Sequence, residues 1–436
     1  MRITAPAPDD RVGLDGIDLA DADLYARGDP HLVWQTLRAQ CPVYWNPRPF
    51  GSGFWAVTRH STVRRVLRDY ETFTSERGTV LWMLGIPDPA ARKMMAVTDP
   101  PRHTEIREQV GRPFAPHLMS GNDAWVRALV RRTIAPAWDD AEWDVAAGFA
   151  RLPVASVVAM MALPDEDVEH LLRWTYASIA PMDPHYATGP VAATLMQAHH
   201  EIVEYFTGAI RGRRAALGDD LLSHLMTMEV AGRRLTEEEV VVNCYSLLLG
   251  ASVTTSQAIV APLVSLAELH GGTGRWPADA PISTAVEEAL RWSSPTMHFM
   301  RYAVRDVRLD GTLVRAGDAV VAWIASANRD ESVFTEPYAF QPRRAPNRHI
   351  TFGSGVHRCV GHPLARLTLR IVAEEFLAKL DRFELSGPVV HLRSNAAAGV
   401  VSAPMRCVLR PEARPAWVAP PRCAPVQRAS AAGRAP

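Results

Sequence analysis

Phe352-Gly-Ser-Gly-Val-His-Arg-Cys-Val-Gly361 surrounds one cysteine, Cys359, with glycines at 353, 355 and 361. A glycine-rich loop can turn several backbone N–H groups toward one sulfur and so favour its thiolate. The residues that follow, Leu364, Leu367, Ile371, Val372, Phe376, Leu377 and Leu380, repeat with helical spacing. The positive end of that helix is therefore expected to face the sulfur and lower its pKa. Such a sulfur is a metal ligand or a nucleophile. Two other readings stand beside these: a small buried hydrophobe at an ordinary turn, and a zinc site using His349, His357 and His362. The spacing His-x-Cys-x-x-His and the lack of a second cysteine in the loop weigh against zinc.

The loop resembles the haem-binding loop of the cytochrome P450 family, with Cys359 in the place of the axial thiolate. The resemblance implies haem b (iron protoporphyrin IX) with Phe352, His357, Cys359 and Gly361 around it. It also implies a mainly α fold with small β-sheets, a triangular helical prism around the haem.

Other motifs carry the same resemblance. In Leu249-Gly-Ala-Ser-Val-Thr-Thr-Ser256, Gly250 and Thr254 share one helix face. By itself this fits either a flat cofactor lying close to the backbone or a packing groove in which Thr254 bonds back to Gly250. The family places such a segment over the oxygen-binding face of the haem, which implies that Thr254 hydrogen-bonds the bound oxygen species. The family's acid before this threonine is replaced by Val253, so proton delivery is assigned to Thr254, Ser252, water or a substrate hydroxyl. Glu288 and Arg291, one helical turn apart, match the family's structural pair, with Arg344 as their partner from a downstream meander that includes Asn328 to Phe334, Pro337 and Phe340. Haem propionates need cations or hydrogen-bond donors when buried, and His103, Arg107, Arg301 and His357 match the family's contacts. Resemblance runs from about residue 30 to 410.

The chain has 436 residues, enough for one large domain or two packed lobes. Hydrophobic residues at 47% and charged residues at 22% are globular values. Lys+Arg and Asp+Glu both number 47, so no global field draws nucleic acid or an anionic membrane. Cysteines 41, 244, 359, 407 and 423 form no disulfide framework, which fits a reducing cytoplasm. Neither a signal peptide nor a run near the ~18 apolar residues of a membrane span is read in the sequence, so a soluble, cytoplasmic protein is expected.

The organisation expected is a polar segment at 1–30, a single P450 domain at 31–410 and a Pro/Ala/Arg-rich disordered tail at 411–436. Residues 53–58 read as a strand and 60–70 as a short helix, and 118–270 is almost wholly helical. Thr236 and Glu239 form a capping box for a helix running to Leu269, about 50 Å long, which Pro262 should kink. Strands are expected at 301–309 and 313–324.

The resemblance implies a haem-thiolate monooxygenase that oxidises an apolar or aromatic natural-product intermediate with O2. Electrons are expected from a separate ferredoxin and its reductase, with Arg348, Arg358 and Arg366 as a basic docking face. Val80, Leu81, Trp82, Ile179, Val253, Met297, Phe299 and Val400 are the expected substrate pocket. Oxidative coupling of a phenol, indole or cyclic dipeptide is the alternative reaction. A haem protein that senses gas without turnover is the alternative class.

Overall fold

Helices are the commonest element of this chain, and several of their starts are written in its sequence. The computed structural model describes residues 1–48, 53–115, 120–138, 142–277 and 279–410; the expected tail from Pro411 lies outside them. Helices α1 (Ala22–Ala26), α2 (Pro30–Gln40) and α3 (His60–Arg68) lead in. A long helical stretch follows: α4 (Arg102–Gly111), α5 (Asp123–Ile134), α6 (Val145–Met160), α7 (Val168–Ile179), α8 (Val191–Arg213), α9 (Leu221–Thr227) and α10 (Glu237–Leu269). The last are α11 (Ile282–Ser293), α12 (Ile324–Ala327) and α13 (His362–Glu375). Asp29 accepts from the N–H of Leu32, Asp144 from Ala146 and Ala147, and Asp220 from Ser223, each satisfying orphan donors of a first turn.

The axis of the molecule is α10. Its capping box is complete: Glu239 N donates to Thr236 Oγ1 at 3.2 Å and Thr236 N to Glu239 Oε2 at 2.8 Å. The helix continues through Pro262 to Leu269 without interruption. It packs against α6, α7, α8, α11 and α13, in a core that includes Phe149, Leu152, Leu248, Ile259, Leu263 and Phe376. By length and composition α10 could also cross a membrane, contrary to the expectation that no run approaches that size. Most of it is buried inside the fold, where each large aliphatic side chain contributes about 1.5–3 kcal/mol.

Packing begins within the polar segment expected at 1–30. Met1, Ile3, Leu19 and Tyr25 are buried, and Tyr25 donates its hydroxyl proton to Leu19 O at 2.7 Å while its ring stacks on Trp323. This second core includes Trp34, Met297 and Met300 and lies against a five-stranded sheet. In that sheet Phe54–Val57 pairs antiparallel with Val43–Asn46 and parallel with Ala319–Trp323. Ala319–Trp323 in turn pairs with His298–Ala303, which holds Phe73–Thr74 at the edge. The expected strands 301–309 and 313–324 divide into His298–Ala303, Val307–Leu309, Thr312–Val314 and Ala319–Trp323. The division has a local cause. Asp310 and Gly311 both take positive φ, 43° and 87°, and close a two-residue hairpin between Leu309 and Thr312.

One buried ion pair fastens the meander to α11. Glu288 and Arg291 are both 0% exposed, with Arg291 Nε and Nη2 donating to the two carboxylate oxygens at 2.8 Å. Arg291 also donates to the carbonyls of Asn328 and Pro337 at 2.9 Å and of Ala339 at 3.2 Å. Glu288 accepts further from Gln341 N, Arg344 Nε and Asn347 Nδ2. Burial pushes the Glu288 carboxyl up, but Arg291 and Arg344 outweigh it and hold the group below its ordinary range. Arg291→Ala leaves a buried carboxylate short of its partner and is expected to cost about 3–5 kcal/mol in urea unfolding. Arg344→Ala, which keeps the Arg291 pair, is expected to cost clearly less.

Candidate active site

The cysteine loop holds its shape through two left-handed glycines. Gly353 and Gly355 have φ of +71° and +77°, and a Cβ at 355 would stand 2.8 Å from Arg68 Cα and Leu67 O. Cys359 N donates to Phe352 O at 2.8 Å, closing the loop. Gly361 then caps α13, with Pro363 in its first turn.

The Cys359 sulfur is reachable from a cavity yet surrounded by protein. Burial is the largest influence on the thiol and raises its pKa. The backbone N–H groups of Gly361 and His362 and the charges of Arg107 and Arg358 pull the other way. The helix-start donors thus act in the expected direction, but the expected net lowering is reversed by desolvation. A metal ion would complete the deprotonation, because thiolate is the ligating form. The histidines of the zinc reading are engaged elsewhere: His349 Nε2 pairs with Glu287 at 3.0 Å and His362 Nδ1 contacts Arg366 at 3.0 Å. Among the described residues no group of His, Cys, Asp and Glu is arranged to hold a metal ion.

Cys359 opens onto a cavity of about 630 Å3. The segment of α10 that lines this cavity contributes Gly250, Ala251, Val253 and Thr254. A Cβ at Gly250 would meet no atom within 4 Å, so this stretch of helix leaves open space beside it. Thr254 Oγ1 donates to Gly250 O at 2.9 Å, the back-bonded arrangement, and its oxygen remains an acceptor on the cavity wall. Ser252 does not reach the cavity. It is fully buried and donates to Leu249 O at 3.2 Å.

Of the expected substrate residues, Val80, Trp82, Ile179, Val253 and Phe299 line the cavity, and Leu81, Met297 and Val400 do not. Leu81 and Met297 belong to the second core beside Trp323, and the Leu81 N–H is held by His298 Nε2 at 3.3 Å. Val400 lies on a smaller cavity of about 440 Å3 with Trp143, Tyr176 and Tyr186. Sequence reasoning missed Asp88, Met94, Met95, His199 and Tyr245, which also line the main cavity. They come from one loop and two helices far apart in the chain, and no spacing rule links them.

The cavity has a cationic side formed by His103, Arg107, Arg301 and His357, all four expected from the sequence. Burial lowers His103 to about 3, helped by His357 and Arg107, and neither of its ring nitrogens has a hydrogen-bond partner. The His103 and His357 rings lie 4.2 Å apart between centroids. Arg301 is lowered by burial to about 10 and donates to Met300 O at 2.8 Å. Asp99 is the carboxylate of this cluster, 3.7 Å from His357 Nε2. Burial raises Asp99, but the nearby His357 ring and hydrogen bonds from Thr74 and Ser75 hold it well below the carboxylate range. Two arginines and two histidines against one carboxylate leave an excess of positive charge out of water. A flat group carrying two carboxylates fits this side of the cavity, and a metal at its centre fits the sulfur.

The fold and the cavity beside Cys359 are those of a class of haem proteins, and comparison with known proteins gives the family. The family model "Cytochrome P450" matches residues 282–404. Cytochrome P450 NovI of Streptomyces niveus is 34% identical over 400 residues, covering 90% of this chain and 97% of NovI. The crystal structure of P450 OxyD, involved in the biosynthesis of vancomycin-type antibiotics, is 33% identical and superposes with a TM-score of 0.78 over 91% of this chain and 100% of OxyD. Mycobacterium marinum CYP268A2 in complex with pseudoionone is 31% identical with a TM-score of 0.81, covering 91% and 99%. The chain belongs to the cytochrome P450 family. It is an oxidoreductase of the P450 monooxygenase type, and its cofactor is haem.

Arg301→Leu removes a buried donor from the cationic side, where a charge-assisted bond is worth about 1.5–3 kcal/mol. Haem loss to an apo-globin acceptor is expected to quicken by about 10–100-fold, while the carbon monoxide difference band of the haem that remains keeps its thiolate position.

Proposed function

We propose that this P450 is a soluble, cytoplasmic monooxygenase that inserts one oxygen atom into an apolar or aromatic natural-product intermediate, with electrons from a ferredoxin and its reductase. The observation that carries this reading is the cavity between Cys359 and the Gly250–Thr254 stretch of α10, apolar over most of its wall. OxyD's part in antibiotic biosynthesis and the solved complex of an EryK mutant with erythromycin B support a natural-product substrate.

When bound, haem supplies reductive activation of O2, in which two electrons and two protons leave one oxygen atom in the product and one in water. Cys359 would supply the sulfur ligand to the iron. Arg107, Arg301, His103 and His357 would hold the propionates by charge and hydrogen bonds. Met94, Phe299, Val253 and Ile179 would exclude water and shape the substrate space. Thr254 holds a proton at Oγ1 at the edge of that space, where water or a substrate hydroxyl can exchange with it. Val253, apolar and buried, leaves this position without a carboxylate. That observation favours a second reaction type, oxidative coupling, in which the product loses two hydrogens.

The test is a reduced carbon monoxide difference spectrum followed by product mass. A thiolate-type band, substrate-dependent reductant consumption and a gain of one oxygen support the reading. A loss of two hydrogens favours coupling, and a band with no consumption favours a sensor. Thr254→Ala is expected to slow product formation about tenfold or more with substrate affinity unchanged. Ser252→Ala, whose hydroxyl is turned into the helix, is expected to change neither.

Arginines support the partner assignment. Arg68, Arg112, Arg348 and Arg358 are exposed, Arg68 touching the loop at Gly355 and Arg112 following Gly111, which approaches Val360. Arg366, expected with them, is instead paired with Glu287 at 2.6 and 2.8 Å and lies over the Phe352 ring. Arg112→Glu is expected to slow reduction by an acidic ferredoxin about tenfold at low salt, less as salt rises. Chemical reduction and the carbon monoxide band should be unchanged.

A further inference from the structure

The main cavity carries opposite charge at two places. Away from the cationic group of His103, Arg107, Arg301 and His357, its wall includes Asp88, His199 and Tyr245. Asp88 follows the short turn Leu81–Met83, His199 lies on α8 and Tyr245 on α10. None of these three has a role in holding haem or in the proton step at Thr254.

Their polar capacity is largely unspent. Asp88 Oδ1 accepts from Ala90 N at 2.9 Å. Among the described residues no arginine, lysine or histidine nitrogen comes within the 4.0 Å of an ion pair with Asp88. The lysine of the same loop, Lys93, is taken by Glu238 at 2.6 Å. Tyr245 is 9% exposed, and its hydroxyl makes no hydrogen bond of good geometry. Ser178 is near enough to influence that hydroxyl but gives its own proton to Trp174 O at 2.9 Å. The His199 and Tyr245 rings meet edge-on, 5.5 Å apart at 85°, and the charge of Asp88 acts on both. Burial raises Asp88 and lowers His199, as desolvation requires when neither has a close ionic partner.

The half-buried Asp88 carboxylate has only one backbone donor, and the buried Tyr245 hydroxyl has no hydrogen bond of good geometry, so a cationic ligand would complete both. We propose that Asp88, His199 and Tyr245 form a subsite for a protonated primary or secondary amine on the substrate. This deepens the monooxygenase reading above and rests on it, because it takes this cavity to be the substrate cavity. An ammonium group donates to the Asp88 carboxylate and the Tyr245 oxygen, and neutral His199 accepts from it. The cavity wall at Val253 and Thr254 offers the ammonium no carboxylate, so the amine is held at Asp88, away from that stretch of α10. Tyr245 and Thr254 lie nine residues apart on α10, about 13 Å along its axis. The substrate is therefore an elongated amine, at least two linked rings in length, that presents its apolar end for oxidation.

The test titrates the haem-loaded protein with 4-(biphenyl-4-yl)butylamine and with its carbon isostere 4-pentylbiphenyl, followed by the spin-state change of the haem absorption. The amine is expected to bind about tenfold more tightly, about 1.4 kcal/mol, with a high-spin shift. Asp88→Asn should abolish that preference while leaving isostere affinity within about twofold, and Tyr245→Phe should reduce it. Equal affinities, a preference that survives Asp88→Asn, or a spectrum showing amine nitrogen bound to iron would overturn the subsite. The two readings fail separately. Absence of a thiolate-type carbon monoxide band in the unsubstituted protein defeats the haem-thiolate reading, whereas a normal band with no amine preference defeats the subsite alone.

Discussion

Glu288 and Arg291 lie wholly out of water, and removing two such charges from solvent costs several kcal/mol per ion before any contact is made. The pair persists because every strong bonding direction is filled. Arg291 binds both carboxylate oxygens and three meander carbonyls, and Glu288 receives three further donors from residues 341, 344 and 347. The arrangement fixes where the meander can go. Asn328 continues it, donating to Thr351 Oγ1 and accepting from Ile350 N, and from Ile350 the chain enters the cysteine loop directly. The position of Cys359 relative to α10 thus depends on an ion pair well away from the sulfur.

A different constraint operates at the cavity. Burial drives Arg301, His103 and His357 each toward their neutral forms, and the charges of Arg107 and Arg301 add to it at both histidines. A fold that gathers such groups holds electrostatic strain that an anionic ligand relieves, so binding and stability are linked. Whatever binds only the native state stabilises it in proportion to the logarithm of its saturation. On the reading proposed above, the cationic side would meet the haem carboxylates and the loop would meet the metal with groups already positioned by the protein.

How much of this was legible in the sequence followed physical locality. The cysteine loop, the capping box of α10 and the Glu288–Arg291 spacing are short-range patterns, and each appears where its spacing placed it. His103, Arg107, Arg301 and His357 line one cavity together, a long-range grouping that family resemblance could anticipate and spacing alone could not. Side-chain direction was not legible. Ser252 and Thr254 stand two residues apart on α10, but one donates within the buried helix and the other reaches the cavity. Leu81 turns into a core while its neighbours Val80 and Trp82 line the cavity, because a three-residue turn redirects each side chain in succession. The pKa of Cys359 was misread for a related reason. Helix-start donors are visible in sequence, whereas the desolvation that outweighs them depends on everything packed around the loop.

The oxygen-side face combines these lessons. A carboxylate before Thr254 would stand on a wall where Val253 packs with Tyr176, Leu392 and Ala397, and burying it there without a cation would raise its pKa and cost stability. Valine removes that cost and with it a proton carrier. The chain keeps an acid elsewhere in the cavity, at Asp88, where backbone and solvent share its solvation. Acidity near the reacting centre serves turnover, and acidity at a distance serves orientation. If the proposed amine subsite holds, the cavity would orient a polar substrate better than it delivers protons, and the substrate's own donors would join the proton path.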